Sequence, residues 1–178
     1  NMNSPEPATK PMVLIVDDDH VMRMLAREAL ARHAFDVREA ADGEQALEFL
    51  VAIQPDLILL DVDMPVMSGF EVCRNVRQRW DATEMPVIMV TGMDDVDSIN
   101  QAFEAGATDF ISKPINWSIL GHRTRYVLRS AREARRLREL EEKQSAIVRA
   151  MPDTIYLLHR DGTYLDCKAG YGWPPMGP

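Results

Sequence analysis

The sequence predicts an α/β fold, a doubly wound parallel sheet of five strands, on three observations. Short unbroken apolar runs, suited to strands buried on both faces, alternate with stretches of helical periodicity. The helical connections are long enough for right-handed parallel crossovers. Four of the runs also close on reactive side chains, namely Asp17-Asp18-Asp19, Asp61, Thr91 and Lys113. In an open parallel sheet the carboxyl ends of strands are where ligands sit.

The elements follow in order. Met12 to Val16 reads as the first strand, and the acidic triplet after it suits the start of a helix from about Val21 to His33, where the macrodipole favours carboxylates. That helix carries an apolar stripe of Val21, Met22, Leu25, Ala29 and Leu30. Phe35 to Ala40 is a second strand with Phe35 and Val37 on one face; after the Asp42-Gly43 turn, Glu44 to Ile53 is a helix with Ala46, Leu47, Leu50 and Val51 inward. Leu57 to Asp61, bounded by Pro55 and by Met64-Pro65, has no polar face to offer water and is the central strand. Ser68-Gly69 opens a helix through Phe70, Val72, Cys73 and Val76 to about Arg79. Pro86 to Val90 is the fourth strand, Asp95 to Glu104 a helix stopped by Gly106, and Ala107 to Ser112 the fifth strand.

Composition narrows the functional classes. A hydrophobic content of 46% supports a real core in 178 residues, and a net charge of −8 argues against a general nucleic-acid or anionic-membrane surface. No apolar run approaches a membrane span and no leader pattern opens the chain, which points to the cytoplasm. Cys73 and Cys167 lie far apart without His or Cys at metal spacing, so neither a disulfide framework nor a zinc site is indicated. Residues 1–11, with three prolines, are expected to be a disordered tail in which Asn1, ahead of Met2, is a cloning remnant.

Placed on such a sheet, Asp17, Asp18, Asp61, Thr91 and Lys113 share one crevice. Each has an ordinary explanation alone, as a helix cap or a loop residue. Together at equivalent places they mark one site. Carboxylates so crowded require a cation, and an all-oxygen cluster that keeps several waters suits magnesium better than zinc. Magnesium implies phosphate. Asp61 is then the carboxylate nucleophile for a phosphoryl group, with the metal and the Lys113 ammonium offsetting charge on its oxygens and Thr91 supplying a hydroxyl; the product is an acyl phosphate.

At this point Val16-Asp17-Asp18, Leu60-Asp61 with Met64-Pro65 and Gly69, Thr91-Gly92 and Lys113-Pro114 resemble the response-regulator receiver domain, a flavodoxin-like fold, across roughly Met12 to Arg129. The resemblance implies that Asp61 is the phosphoacceptor, Asp18 a direct magnesium ligand, Asp17 a ligand through water, and the backbone carbonyl of Asp63 another ligand. It implies that Thr91 and Lys113 contact the phosphoryl group, and that Phe110 is an aromatic switch turning inward when Thr91 is drawn toward phosphate. The phosphodonor partner it implies is a sensor histidine kinase or a phosphotransfer protein.

Two positions depart from the commonest pattern of that family. Asp63 puts a further negative side chain beside the acceptor, and Met93 is bulky and apolar two residues after Thr91; both flank the path of water to an acyl phosphate. Two other readings compete. Asp61-Val62-Asp63 also looks like the acidic pair of haloacid-dehalogenase-type phosphatases, although that family usually has Thr or Val where Pro65 stands and its nucleophile strand comes first. The other is a receiver-like dimerisation scaffold that is never phosphorylated; the presence of all five site side chains weighs against it.

Trp117 to Met151 contains no proline, and no glycine after Gly121, and reads as one helix of about 50 Å at 1.5 Å per residue. Its first turns, with Ile119, Leu120, Val127 and Leu128, are expected on the sheet. Residues 130–151 are expected to project as a signalling helix, and residues 127–151 to form a parallel homodimeric coiled coil. Val127, Ala131 and Ala134 start the seam, Leu140, Gln144, Ile147 and Met151 resume it, and Leu137 breaks the frame as a stammer would. Thr154 to His159 and Tyr164 to Lys168 flank Asp161-Gly162, a hairpin signal. Residues 152–178 resemble the opening of a PAS sensory domain, too short to fold as one.

Overall fold

The computed structural model describes residues 10–92, 96–150 and 155–168. β1 (Met12–Val16), α1 (His20–Ala31), β2 (Asp36–Ala40), α2 (Gly43–Ala52), β3 (Leu57–Asp61), α3 (Gly69–Arg77), β4 (Val87–Thr91), α4 (Val96–Glu104), β5 (Asp109–Ser112) and α5 (Trp117–Ala150) alternate along the chain. The strands make one parallel sheet in the order β2-β1-β3-β4-β5. The order reverses between β1 and β3, which opens a crevice at their carboxyl ends. The doubly wound five-stranded sheet expected from the apolar runs is the fold observed.

Every residue of β3 and β4 is buried, and their period-two alternation divides the core into two layers. Leu14, Val16, Ile58, Leu60 and Met89 face α2 and α3, while Val13, Ile15, Leu57, Leu59, Ile88 and Val90 face α1 and α5. Each such leucine or isoleucine contributes about 1.5–3 kcal/mol by leaving water. Helix starts are fixed by side-chain caps. The Asp19 carboxylate accepts from the N–H of Val21 at 2.8 Å, Asp42 accepts from Gln45 at 2.8 Å, and Ser68 and Glu71 form a reciprocal capping box.

Three helix faces differ from the sequence reading. Val21 in α1, Val51 in α2 and Ile119 in α5 are exposed, and the buried positions are Ala26, Ala29 and Leu30, Ala46 and Leu50, and Leu120 onward. In each case an apolar residue about 100° round the helix from the stripe lies outside it; apolar count alone does not fix the phase. In α5 the inward stripe is Leu120, Gly121, Thr124, Val127, Leu128 and Ala131. Gly121 is required there, because a Cβ would collide with the His33 ring. Val127 and Ala131, expected in a homodimer seam through 127–151, are 5% and 7% exposed within their own chain, so that seam cannot begin with them.

The chain divides between Ala134 and Arg135 into two compact units. The second contains the end of α5 and an antiparallel hairpin of β6 (Ile155–Leu158) and β7 (Tyr164–Lys168), as the Asp161-Gly162 signal predicts. Gly162 has φ +89°, a left-handed conformation glycine adopts without strain, and Thr163 donates its N–H to the Asp161 carboxylate at 2.9 Å. The expectations for residues 1–9, Met93, Asp95, Met151 to Thr154, and Tyr171 and Trp173 fall outside the described residues.

Candidate functional site

Strand register gathers the site. Val16 pairs with Leu60, Asp61 with Val90 and Thr91 with Ser112, so Asp17, Asp61, Thr91 and Lys113 come to one edge of the sheet. The acidic triplet divides its work. Asp19 caps α1, leaving Asp17 and Asp18 to join Asp61; one carboxylate oxygen from each lies within 4.8 Å of the others. Asp17 and Asp61 are buried and Asp18 is exposed.

Asp61 is 2% exposed, and its Oδ1 lies 2.8 Å from Nζ of Lys113. The Lys113 ammonium is the cation that faces this buried oxygen. Burial by itself would lower the Lys113 ammonium, but its contact with Asp61 and the charges of Asp61, Asp17 and Asp63 outweigh it and hold Lys113 above the ordinary lysine range. Asp17 is pushed up to about 6, chiefly by burial and further by the charges of Asp61 and Asp18, against the N–H bond from Asp19 at 2.8 Å and the charge of Lys113. Two buried carboxylates with a third beside them fit a hard divalent cation with oxygen ligands. Asp17, Asp18 and Asp61 can hold it.

The backbone around the acceptor is tightly turned. Met64 donates its N–H to the Val62 carbonyl at 3.1 Å, so Asp63 is the centre of a turn, and its own carbonyl accepts no hydrogen bond among the described residues. Met67 donates to Pro65 at 2.8 Å across Val66, which has φ +69° and is 94% exposed. A β-branched residue in that region is strained. Gly69 donates to Val62 at 3.0 Å, and a Cβ on it would run into the Asp61 carbonyl oxygen, so only glycine lets α3 start this close to β3. The Asp63 side chain is exposed, and its Oδ2 would stand 3.7 Å from a Cβ on Gly92. Thr91 is buried, and its carbonyl accepts from the Lys113 N–H at 2.8 Å. Phe110 is half-buried against the core and meets Phe103 edge to face at 5.9 Å.

Two residues of this neighbourhood escaped the sequence reading. Arg23, on α1, donates Nη1 to the carbonyls of Asp17 at 2.7 Å and Asp18 at 3.2 Å, while Glu39 of β2 holds its Nε at 3.3 Å. Arg23 thus braces the loop that carries two of the three carboxylates. A signal existed: Glu39 follows Phe35 and Val37 on an otherwise apolar strand face, where a carboxylate needs a cation.

The response regulator receiver domain family model matches residues 13–125, and the chain belongs to that family. It is 38% identical over 119 residues to the transcriptional regulatory protein AfsQ1 of Streptomyces coelicolor, covering 67% of this chain and 52% of AfsQ1. The chain thus spans about half the length of the curated relatives it matches. Among solved structures it is similar to the chemotaxis response regulator CheY4 of Vibrio cholerae, with a TM-score of 0.63, 33% identity, and coverage of 67% of this chain and 99% of that one. It is similar also to the BeF3-activated DrrB receiver domain, with a TM-score of 0.61, 32% identity, and coverage of 67% and 98%. No described helix is long and apolar enough to cross a membrane.

Proposed function

We propose that this chain is the phosphoacceptor receiver of a two-component response regulator, phosphorylated on Asp61 and passing that state to an output through α5. The observation that carries the reading is the Asp61 carboxylate itself. It is buried beside Asp17 and Asp18, with Oδ1 2.8 Å from the Lys113 ammonium. One Asp61 oxygen attacks the phosphorus of a phosphohistidine on a sensor histidine kinase or phosphotransfer protein. The N–P bond breaks, its electron pair leaves with the imidazole, and an acyl phosphate remains.

Asp17, Asp18, Asp61 and the Asp63 carbonyl would hold Mg2+ here, and the bound cation would offset charge on the transferring group. Lys113 moves its ammonium from Asp61 to a phosphoryl oxygen, and Thr91 donates its hydroxyl to another. Phe110, half-buried in the unphosphorylated chain, turns inward as Thr91 shifts. Asp63, exposed beside the acceptor, borders the path of water to the acyl phosphate. BeF3 activation of the similar DrrB receiver supports phosphoryl-type chemistry on this fold.

In this reading residues 12–129 are the receiver, 130–151 a signalling helix that pairs with a second copy, and 152–178 the start of a PAS domain, all in the cytoplasm. The chain is a phosphoacceptor and not an enzyme acting on other substrates. Intact-mass spectrometry after acetyl phosphate treatment tests it. One added phosphoryl group is expected, with Mg2+ only, and none on Asp61→Asn; equal labelling of the variant would refute the assignment.

A further inference from the structure

We infer that α5 pairs with a second copy of this chain as a parallel, in-register two-stranded coil whose seam is Leu137, Leu140, Gln144 and Ile147. The inference rests on the dimeric reading of the helix and deepens it by fixing frame and direction.

Burial resets the frame. With Val127 and Ala131 occupied in their own core, the repeat they would start no longer constrains Leu137. From Leu137 the steps to Leu140, Gln144 and Ile147 are three, four and three residues, an unbroken heptad with Leu137 and Gln144 at a and Leu140 and Ile147 at d. Leu137, Leu140 and Ile147 are 62%, 54% and 58% exposed, large apolar side chains on one stripe of a helix whose described residues from Arg132 to Ile147 are all exposed. The 3.5-residue repeat matches another helix, and not a sheet.

Charge selects the partner and its direction. In this frame Arg136 is a g position and Glu141 the e position five residues on, the two that face each other across a parallel in-register pair. Two pairs nearby run along the helix. Arg135 pairs with Glu139 at 3.0 Å and Arg129 with Glu133 at 3.9 Å, whereas neither Arg136 nor Glu141 makes an ion pair among the described residues. A parallel second copy sets Arg136 against the partner's Glu141 twice by symmetry. An antiparallel copy sets g against g and e against e, and the register that keeps all four seam residues brings Lys143 and Glu141 each toward its own counterpart, like charge against like. Gln144 is a polar a position, which favours one register at some expense of stability.

Sedimentation of the 178-residue chain with charge swaps tests this. Arg136→Glu and Glu141→Arg should each weaken dimerisation about 5–20-fold, since two attractive contacts become repulsive, and the double variant should return to within about 2-fold of the original. In a Cys167→Ser background, Gln144→Cys should form an oxidised dimer far faster than Glu142→Cys on the outer face. A dimer in which the two swaps simply add, or in which both cysteines link equally, would overturn the register while leaving a dimer. Monomer at every concentration would overturn the dimer as well. Labelling of Asp61 is indifferent to all of these, so the phosphoacceptor reading is tested apart.

Discussion

Helix α5 is uniform in composition and divided in environment. From Leu120 to Ala131 its aliphatic residues are buried, and two of its arginines reach other elements: Arg123 grips Asp109 of β5 at 2.7 and 2.9 Å, and Arg125 donates to the His33 carbonyl at 2.7 Å. Arg132 pairs with Asp56, which also accepts the Met12 N–H at 2.8 Å. From Arg135 onward the described residues are exposed and the arginine pairs run along the helix itself. The first stretch is therefore held by the sheet it covers, and the second leaves Leu137, Leu140 and Ile147 exposed in this chain. Arginine-rich sequence says nothing about which applies; the supply of carboxylates and carbonyls around it does.

The largest expected contrast is between two leucines of this helix. Leu120→Ala, fully buried against β-strand residues, should cost about 2–5 kcal/mol in urea unfolding of the receiver, whereas Leu140→Ala should change it by less than about 0.5 kcal/mol. Equal effects would mean that the second stretch is part of the same core.

The same contrast explains what could be read from sequence. Strands buried on both faces announce themselves as unbroken apolar runs, so the sheet, its carboxyl ends and the gathering of Asp17, Asp18, Asp61, Thr91 and Lys113 were legible. The phases of α1, α2 and α5 were less so, because Val21, Val51 and Ile119 satisfy an apolar pattern as well as their buried neighbours do. Val127 and Ala131 misled for a related reason: a three-four spacing serves a sheet beneath a helix as readily as a helix beside it. Arg23 was harder to read, because the carbonyls of Asp17 and Asp18 that it binds leave no trace in sequence and Glu39 on an apolar strand face was its one signal. Val66 was invisible because its positive φ opposes the preference of a β-branched side chain.

The crevice should respond to pH in the opposite sense from an ion-paired carboxylate. Asp17 titrates near 6 in the folded chain and near 3.8 when unfolded, so the folded state holds the proton more tightly. Without Mg2+, its contribution is unfavourable above pH 6 and is relieved as pH falls through 6 toward 3.8. Asp17→Asn should stabilise the metal-free chain at pH 7.5 by about 1–2 kcal/mol and remove this group's share of the gain on acidification. Thermal melts at pH 7.5 and 5 check it. Mg2+ affinity, by fluorescence titration, should fall below pH 6 as protons compete. Lys113→Ala should leave that affinity largely intact and impair the response to beryllofluoride.

The smallest effect is at the point where the two stretches of α5 meet. Arg132→Ala removes an exposed pair and should cost no more than about 0.5 kcal/mol, while Asp56→Ala also takes the acceptor from the first N–H of β1 and should cost about 1 kcal/mol more. Chemical denaturation of the two variants separates them, and equal losses would show that the β1 contact contributes nothing.

The phosphoacceptor assignment is tested most directly by borohydride trapping. The chain is treated with acetyl phosphate and Mg2+, reduced, digested and mapped by mass spectrometry. An acyl phosphate on Asp61 reduces to homoserine at that position, and the expected result is homoserine at residue 61 alone, absent when Mg2+ is chelated. Homoserine at Asp17, Asp18 or Asp63, or equal yield without the metal, would contradict the assignment of Asp61 as the nucleophile of this crevice.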